Sequence, residues 1–226
     1  MLRRTMHSGI GMVKMIEIAG IYNSPNRWRG RRGLKVDKIV LHHTAVNSFN
    51  SVKWWFVDPC SQASAHYVVD RDGLIYQFVS EYDTAWHAGV PRWQFNEKSI
   101  GIEIVQADPS PFTTAQYRAV VEIIVNCAER YDIPLIVVPD GAWLGYKTAD
   151  AYHGILGHSS ISRSKSTCPG PLFDWLLLKE TIESKLREEE EKEEVKEEVK
   201  DEKKSPRADT DHYHSGGWAG IGRKRG

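Results

Sequence analysis

The sequence predicts a single α/β domain with a mixed central β-sheet and flanking helices, followed by a charged helical C-terminal tail. Three observations carry this expectation. Short apolar runs of strand character alternate with helical patterns through residues 30–182. The segment after Thr113 carries a clear apolar helical stripe. Residues 187–204 then hold 16 charged side chains out of 18, ten acidic and six basic, so the packed pattern has ended by that point.

Residues 1–29 are weakly patterned and read as an N-terminal extension. Arg27, Arg29, Arg31 and Arg32 cluster around Trp28, either as a solvated surface segment or as a contact for an anionic polymer. Val36–His42 is an apolar run flanked by charge and predicts a buried strand. Asn50–Val57 predicts a short helix, stopped by Asp58-Pro59. Ala65–Val69 and Leu74–Val79 alternate as strands, and Asp72-Gly73 between them suits a tight hairpin turn. Residues 81–99 lack periodicity and read as a long loop, of the kind that usually carries function.

Ile100–Val105 predicts another strand. A helix capped by Thr113 or Thr114 runs to about Tyr131, with Ala115, Ala119, Val120, Ile123, Ile124 and Cys127 on its stripe, and ends at Asp132 and Pro134. Leu135–Val138 reads as a short strand and residues 139–170 as loop. Pro171 fits the first turn of a last helix that runs into the tract at 183–204, where pairs such as Glu188–Lys192 support helix without a core. Residues 205–226, ending in Arg223-Lys224-Arg225, read as a flexible basic tail.

Composition narrows the function classes. Thirty Lys+Arg balance 30 Asp+Glu, which argues against a general nucleic-acid or membrane-surface binder. No apolar run is long enough to span a membrane. Met6–Ile18 is interrupted by His7, Ser8, Lys14 and Glu17, a poor signal-peptide core, so a cytoplasmic chain is expected. Three cysteines, Cys60, Cys127 and Cys168, make no disulfide framework and leave room for a specific task at one of them.

Three places carry candidate chemistry. His42-His43 ends the first strand, and neighbours on a strand face opposite ways, so at most one looks into a cleft. His158 and Cys168 lie ten residues apart on a loop-rich segment and can converge on one ion. Two imidazoles and a thiolate are the donor set of a catalytic zinc site, which leaves a fourth position to water. Glu103 sits between Ile102 and Ile104 and points away from Ile100, Ile102 and Ile104. It is either a general base in a cleft, its pKa raised by partial burial, or an edge-strand carboxylate in water or paired with a lysine.

Lys38-Ile-Val-Leu-His-His-Thr-Ala45, Ala65-His-Tyr-Val-Val-Asp-Arg-Asp-Gly73, Trp86-His-Ala-Gly89, Ser99-Ile-Gly-Ile-Glu103, and Gly157-His158 through Cys168-Pro-Gly-Pro-Leu-Phe-Asp-Trp175 stand in a fixed order. Together they resemble the zinc-dependent N-acetylmuramoyl-L-alanine amidases, the family of phage endolysins, bacterial muropeptide amidases and animal peptidoglycan-recognition proteins. The resemblance covers about residues 35–180. It implies His42, His158 and Cys168 as zinc ligands, favouring His42 over His43, and Glu103 as catalytic carboxylate. It also implies that His87 contacts substrate; Trp86 beside it can offer an apolar face to a sugar ring.

The sequence departs from the family pattern in three places. Ala65 stands where many members have a Tyr, which shifts weight to Glu103. Ser166 stands where a Lys or Thr is common, with Lys165 one residue earlier as a possible catalytic cation. Ser160 replaces the usual acidic partner of the second histidine, so that supporting bond is expected to be missing.

The implied reaction is hydrolysis of the amide between N-acetylmuramic acid and L-alanine of peptidoglycan by a zinc enzyme. The expected chain is a monomer, with no nucleic-acid partner and no stable membrane insertion. The arginine cluster and the basic end lean the biology towards wall lysis. Recycling of small muropeptides, and a non-catalytic binding module on the same fold, are the alternatives.

Overall fold

The computed structural model describes residues 15–89 and 94–204, in which six strands form one sheet and two more form a small ribbon. The sheet strands are β1 (Gly20–Ile21), β3 (Lys38–His43), β4 (Tyr67–Val69), β5 (Ile75–Gln77), β7 (Ser99–Ile104) and β8 (Gly154–Gly157). The ribbon pairs β2 (Arg27–Trp28) with β6 (Thr84–Ala85). The sheet order is β1-β5-β4-β7-β3-β8. Within this sheet, among the described residues, only β4 and β5 pair antiparallel, as the hairpin around Asp72-Gly73 requires, so the sheet is mixed.

The faces of the sheet are covered differently. Ile39 and Leu41 of β3 and Ile100, Ile102 and Ile104 of β7 pack with α3 (Thr114–Tyr131) and the start of α5 (Trp175–Lys204) in the largest core cluster. Val40 and Leu156 point the other way, towards Ala88, Phe95 and Ala149. Phe95 belongs to α2 (Gln94–Glu97) and Ala149 to α4 (Tyr146–Ala151). Val52 and Phe56 of α1 (Phe49–Val57) cover Val68 and Phe78 on the same side. The alternation of β3 and β7 thus divides each strand into a greasy face and a face that carries His42, Glu103 and their neighbours.

The helix ends follow local chemistry. Thr113 and Gln116 form a capping box at the start of α3, and Asp132 ends it in the left-handed conformation at φ 56°. Asp174 accepts the Leu177 N–H at 2.9 Å, so α5 begins at Trp175 rather than at Pro171. The chain divides into a unit up to Leu186 and a second one from Arg187; in the second, the described residues continue as helix to Lys204. Val195 and Val199 are exposed, consistent with a tract that has no apolar seam. The expected tail at 205–226 lies outside the described residues.

Three expectations change. Residues of the extension join the domain: β1 pairs with β5, and Ile16 and Ile18 pack against the main core. Leu135–Val138 is not a strand; Val137 makes a single bridge to Ile155. The edge position belongs instead to β8, which reads as loop because both its ends are glycine. Those glycines are forced, since a Cβ on Gly154 would lie 2.4 Å from the Ile136 carbonyl and one on Gly157 2.9 Å from Pro169.

Away from the cleft, a buried carboxylate ties the end of α3 to the sheet. Glu81 accepts from Tyr67, from both Arg130 amines, from Tyr131 at 2.9 Å and from the Cys127 thiol at 3.3 Å. Burial alone would raise the Glu81 pKa; the hydrogen bonds from Arg130 and Tyr67 outweigh it and hold the carboxyl below its usual range. Glu81→Ala would strand Arg130 and two phenols and is expected to cost about 3–5 kcal/mol. Because the folded-state pKa is depressed, this stability is present above the unfolded value of about 4.3 and lost as pH falls through the folded one. Urea titrations from pH 7 to pH 3 should show a steeper acid loss in the wild type than in Glu81→Gln; parallel curves would contradict the pairing.

Candidate metal centre

The site forms where β3 and β7 end side by side. His42 is the register partner of Glu103, and both project from the face opposite the main core. His158 follows β8 directly, and Cys168 reaches the same place from the loop before α5. His42, His158 and Cys168 are all buried, and one donor atom from each lies within 4.8 Å of the others. His43 faces the other way and is half-buried, so the structure separates the two histidines that alternation alone left equal.

The donor geometry suits a cation. His42 Nδ1 lies 3.1 Å from His158 Nδ1 and 3.9 Å from Cys168 Sγ. Tetrahedral zinc with ordinary bond lengths sets such edges at about 3.3 Å between nitrogens and about 3.6 Å between nitrogen and sulfur. His158 Nε2 donates to the Ala88 carbonyl at 2.7 Å, so its Nδ1 carries a bare lone pair. The Ala88 carbonyl thereby fills the supporting role that Ser160 was expected to leave vacant. Ser160 itself is buried and turned to the Gly141 carbonyl at 3.4 Å.

The electrostatics favour neutral imidazoles. Burial first, then the neighbouring His158, His87 and His43, holds His42 well below its ordinary range. Burial likewise brings His158 down to about 4. Burial pushes the Cys168 thiol up to about 12, while the His43 backbone N–H pulls the other way. Burial pushes the Glu103 carboxyl up to about 8 against the opposing charge of Lys165, and its Oε2 is enclosed with no hydrogen-bond partner among the described residues. An unpartnered carboxylate oxygen beside three metal donors is positioned for a water or a cation.

The remaining expected residues spread over three environments. Lys165 is exposed on the short turn Arg163–Lys165, close enough that its charge acts on His42, Glu103 and Cys168. Trp86 is half-buried, with its ring 5.3 Å from that of Trp28. His87 is only 8% exposed, with Nδ1 3.0 Å from His42 Nε2. The imidazole thus meets the back of a donor residue, His42.

The arginine cluster is also occupied internally. Arg31 donates to the carbonyls of Glu81, Asn96, Glu97 and Ser99. Arg27 pairs with Asp83 at 3.1 Å and Arg32 with Glu97 at 3.2 Å, which leaves Arg29 as the exposed member without these contacts. These cations pin the loop that backs the site. The carbonyl partners of Arg31 lie 50–68 residues away, which is why no local signal reveals them.

Comparison with known proteins places the chain. A family model described as N-acetylmuramoyl-L-alanine amidase matches residues 32–171. A 1,6-anhydro-N-acetylmuramyl-L-alanine amidase, AmpD, of Enterobacter cloacae is 39% identical over 116 residues, which cover 50% of this chain and 53% of that protein. The chain thus spans about half the length of that relative. The crystal structure of an AmpD selenomethionine derivative superposes with a TM-score of 0.57 at 25% identity, covering 75% of this chain and 97% of that one. An endolysin amidase, LysCS, from Clostridium intestinale shares the fold at a TM-score of 0.54 and 18% identity, covering 75% of this chain and 99% of that one.

Proposed function

The chain belongs to the N-acetylmuramoyl-L-alanine amidase family, and from that premise we propose that it hydrolyses the amide between the lactyl group of N-acetylmuramic acid and L-alanine. His42 Nδ1, His158 Nδ1 and Cys168 Sγ would hold Zn2+. The observation that carries this reading is the convergence of those three donors beside a carboxylate oxygen, Glu103 Oε2, that no protein group engages among the described residues.

When bound, zinc supplies an acidified water and a polarised carbonyl. Glu103 Oε2 accepts the proton of the attacking water and returns it to the departing amine of L-alanine. Glu103 Oε2 is enclosed beside the donors without a hydrogen-bond partner among the described residues, which leaves it free to take and return that proton. Lys165, exposed at the rim, brings its ammonium towards the oxygen on which charge develops. The Trp86 ring gives the sugar an apolar wall. A non-catalytic module on this fold would be expected to lack a donor, and none is lacking here.

The substrate we favour is a small soluble muropeptide, with the intact wall secondary. Similarity to relatives named for a 1,6-anhydromuramyl substrate supports this. So does the internal use of Arg27 and Arg31, which weakens the ground for expecting attraction to an anionic wall. Matched digestions of purified walls and of soluble 1,6-anhydromuropeptides, with products read by mass spectrometry, test the preference. Faster release from soluble substrate is expected. Equal or faster release from walls would return the reading to lysis.

A further inference from the structure

His87 makes no contact with the proposed chemistry, yet its surroundings fix where its proton lies. Ser99 Oγ is 2.7 Å from the Phe95 carbonyl, which can only accept, so the hydroxyl proton is directed there. Ser99 Oγ therefore meets His87 Nε2, 3.2 Å away, as an acceptor, and His87 carries its proton on Nε2. His87 Nδ1 is then a bare lone pair, 3.0 Å from His42 Nε2, and draws the His42 proton to that nitrogen. What remains on His42 is a bare Nδ1, the atom that faces His158 Nδ1 and Cys168 Sγ.

The seat for His87 is built into β7. A Cβ on Gly101 would lie 2.5 Å from His87 Cγ and 2.8 Å from its Nδ1, so only glycine admits the ring. Ser99, Gly101 and Glu103 share the site-facing side of that strand. One strand face thus supplies the acceptor for His87, the space for its ring and the carboxylate beside the donors. The next residue, Ala88, orients His158 through its carbonyl, so two consecutive residues support both imidazoles.

We propose that His87 is a positioning residue: through the relay Phe95 carbonyl–Ser99–His87, it locks His42 in the tautomer and ring orientation that present Nδ1 to a metal. The inference rests on reading His42, His158 and Cys168 as the metal set. Outer partners of this kind typically contribute about 10–100-fold in metal affinity.

The test uses the full chain as wild type, His87→Leu, His87→Gln and Ser99→Ala, each checked for a native circular dichroism spectrum. Zinc affinity is measured by competition with a chromophoric chelator. The His42 tautomer in the metal-free chain is read from long-range 1H–15N NMR. His87→Leu is expected to weaken zinc about 10–100-fold and to leave His42 in mixed tautomers. His87→Gln, whose carbonyl can accept from His42 while its amide donates to Ser99, is expected to recover most of the affinity. Should His87→Leu fail to fold, Ser99→Ala carries the test, with a smaller loss in the same direction. Wild-type affinity and an unchanged tautomer in folded His87→Leu, or in folded Ser99→Ala, would overturn the positioning role alone. A wild-type chain that binds no zinc would overturn the metal reading, and this inference with it.

Discussion

Replacing Glu103 with glutamine is expected to lower turnover about 10²–10⁴-fold while leaving zinc bound. That loss corresponds to about 3–5 kcal/mol of barrier. Glutamine keeps the shape of the side chain but can neither take a proton from water nor return one to an amine. It also leaves the donors of His42, His158 and Cys168 untouched, so metal content separates this variant from one that merely collapses the site. Single-turnover rates together with zinc stoichiometry check it. Near-wild-type turnover would refute the assignment, and loss of zinc in parallel with loss of rate would make Glu103 part of the metal set.

Cys168→Ala is expected to remove the metal itself. The Cys168 sulfur is one of the three proposed donors, and its loss would leave two imidazoles, below the three that catalytic zinc sites use. The fall in affinity should exceed the roughly 10–100-fold typical of outer partners. Cys168→Asp offers a carboxylate, also a zinc donor, and should retain part of the metal that alanine loses. Dialysis to equilibrium followed by metal analysis of the three chains checks this order. An alanine variant holding stoichiometric zinc at wild-type affinity would remove Cys168 from the donor set.

The parts of the site that were legible in the sequence are those fixed by strand alternation. Ile100, Ile102 and Ile104 announced one face of β7, and Glu103 fell on the other by geometry alone. The cap at Thr113 and the stop at Asp132 were equally local and came out as expected. What stayed hidden depends on tertiary contact. Alternation could not say which of His42 and His43 faces the cleft, because that is decided by which side of the sheet α3 covers.

The part played by His87 was hidden for a similar reason. Its burial follows from an absent side chain at Gly101, 14 residues away, and a glycine in a strand says only that something approaches closely. The strand β8 was missed because its two glycines dilute a four-residue signal. Arg31 misled because most of its partners are backbone carbonyls, which have no sequence signature.

The central claim is zinc-dependent cleavage of one amide at one site. Its most direct measurement incubates the full chain with a soluble muramyl peptide in three states: as purified, after complete chelation, and after chelation with one equivalent of zinc restored. Products are identified by mass spectrometry. The expected result is a peptide with a free L-alanine amino terminus beside an intact muramic acid carboxylate, formed as purified, absent after chelation and regained with zinc. Cleavage at another bond, or unchanged cleavage after zinc has been fully removed, would contradict it.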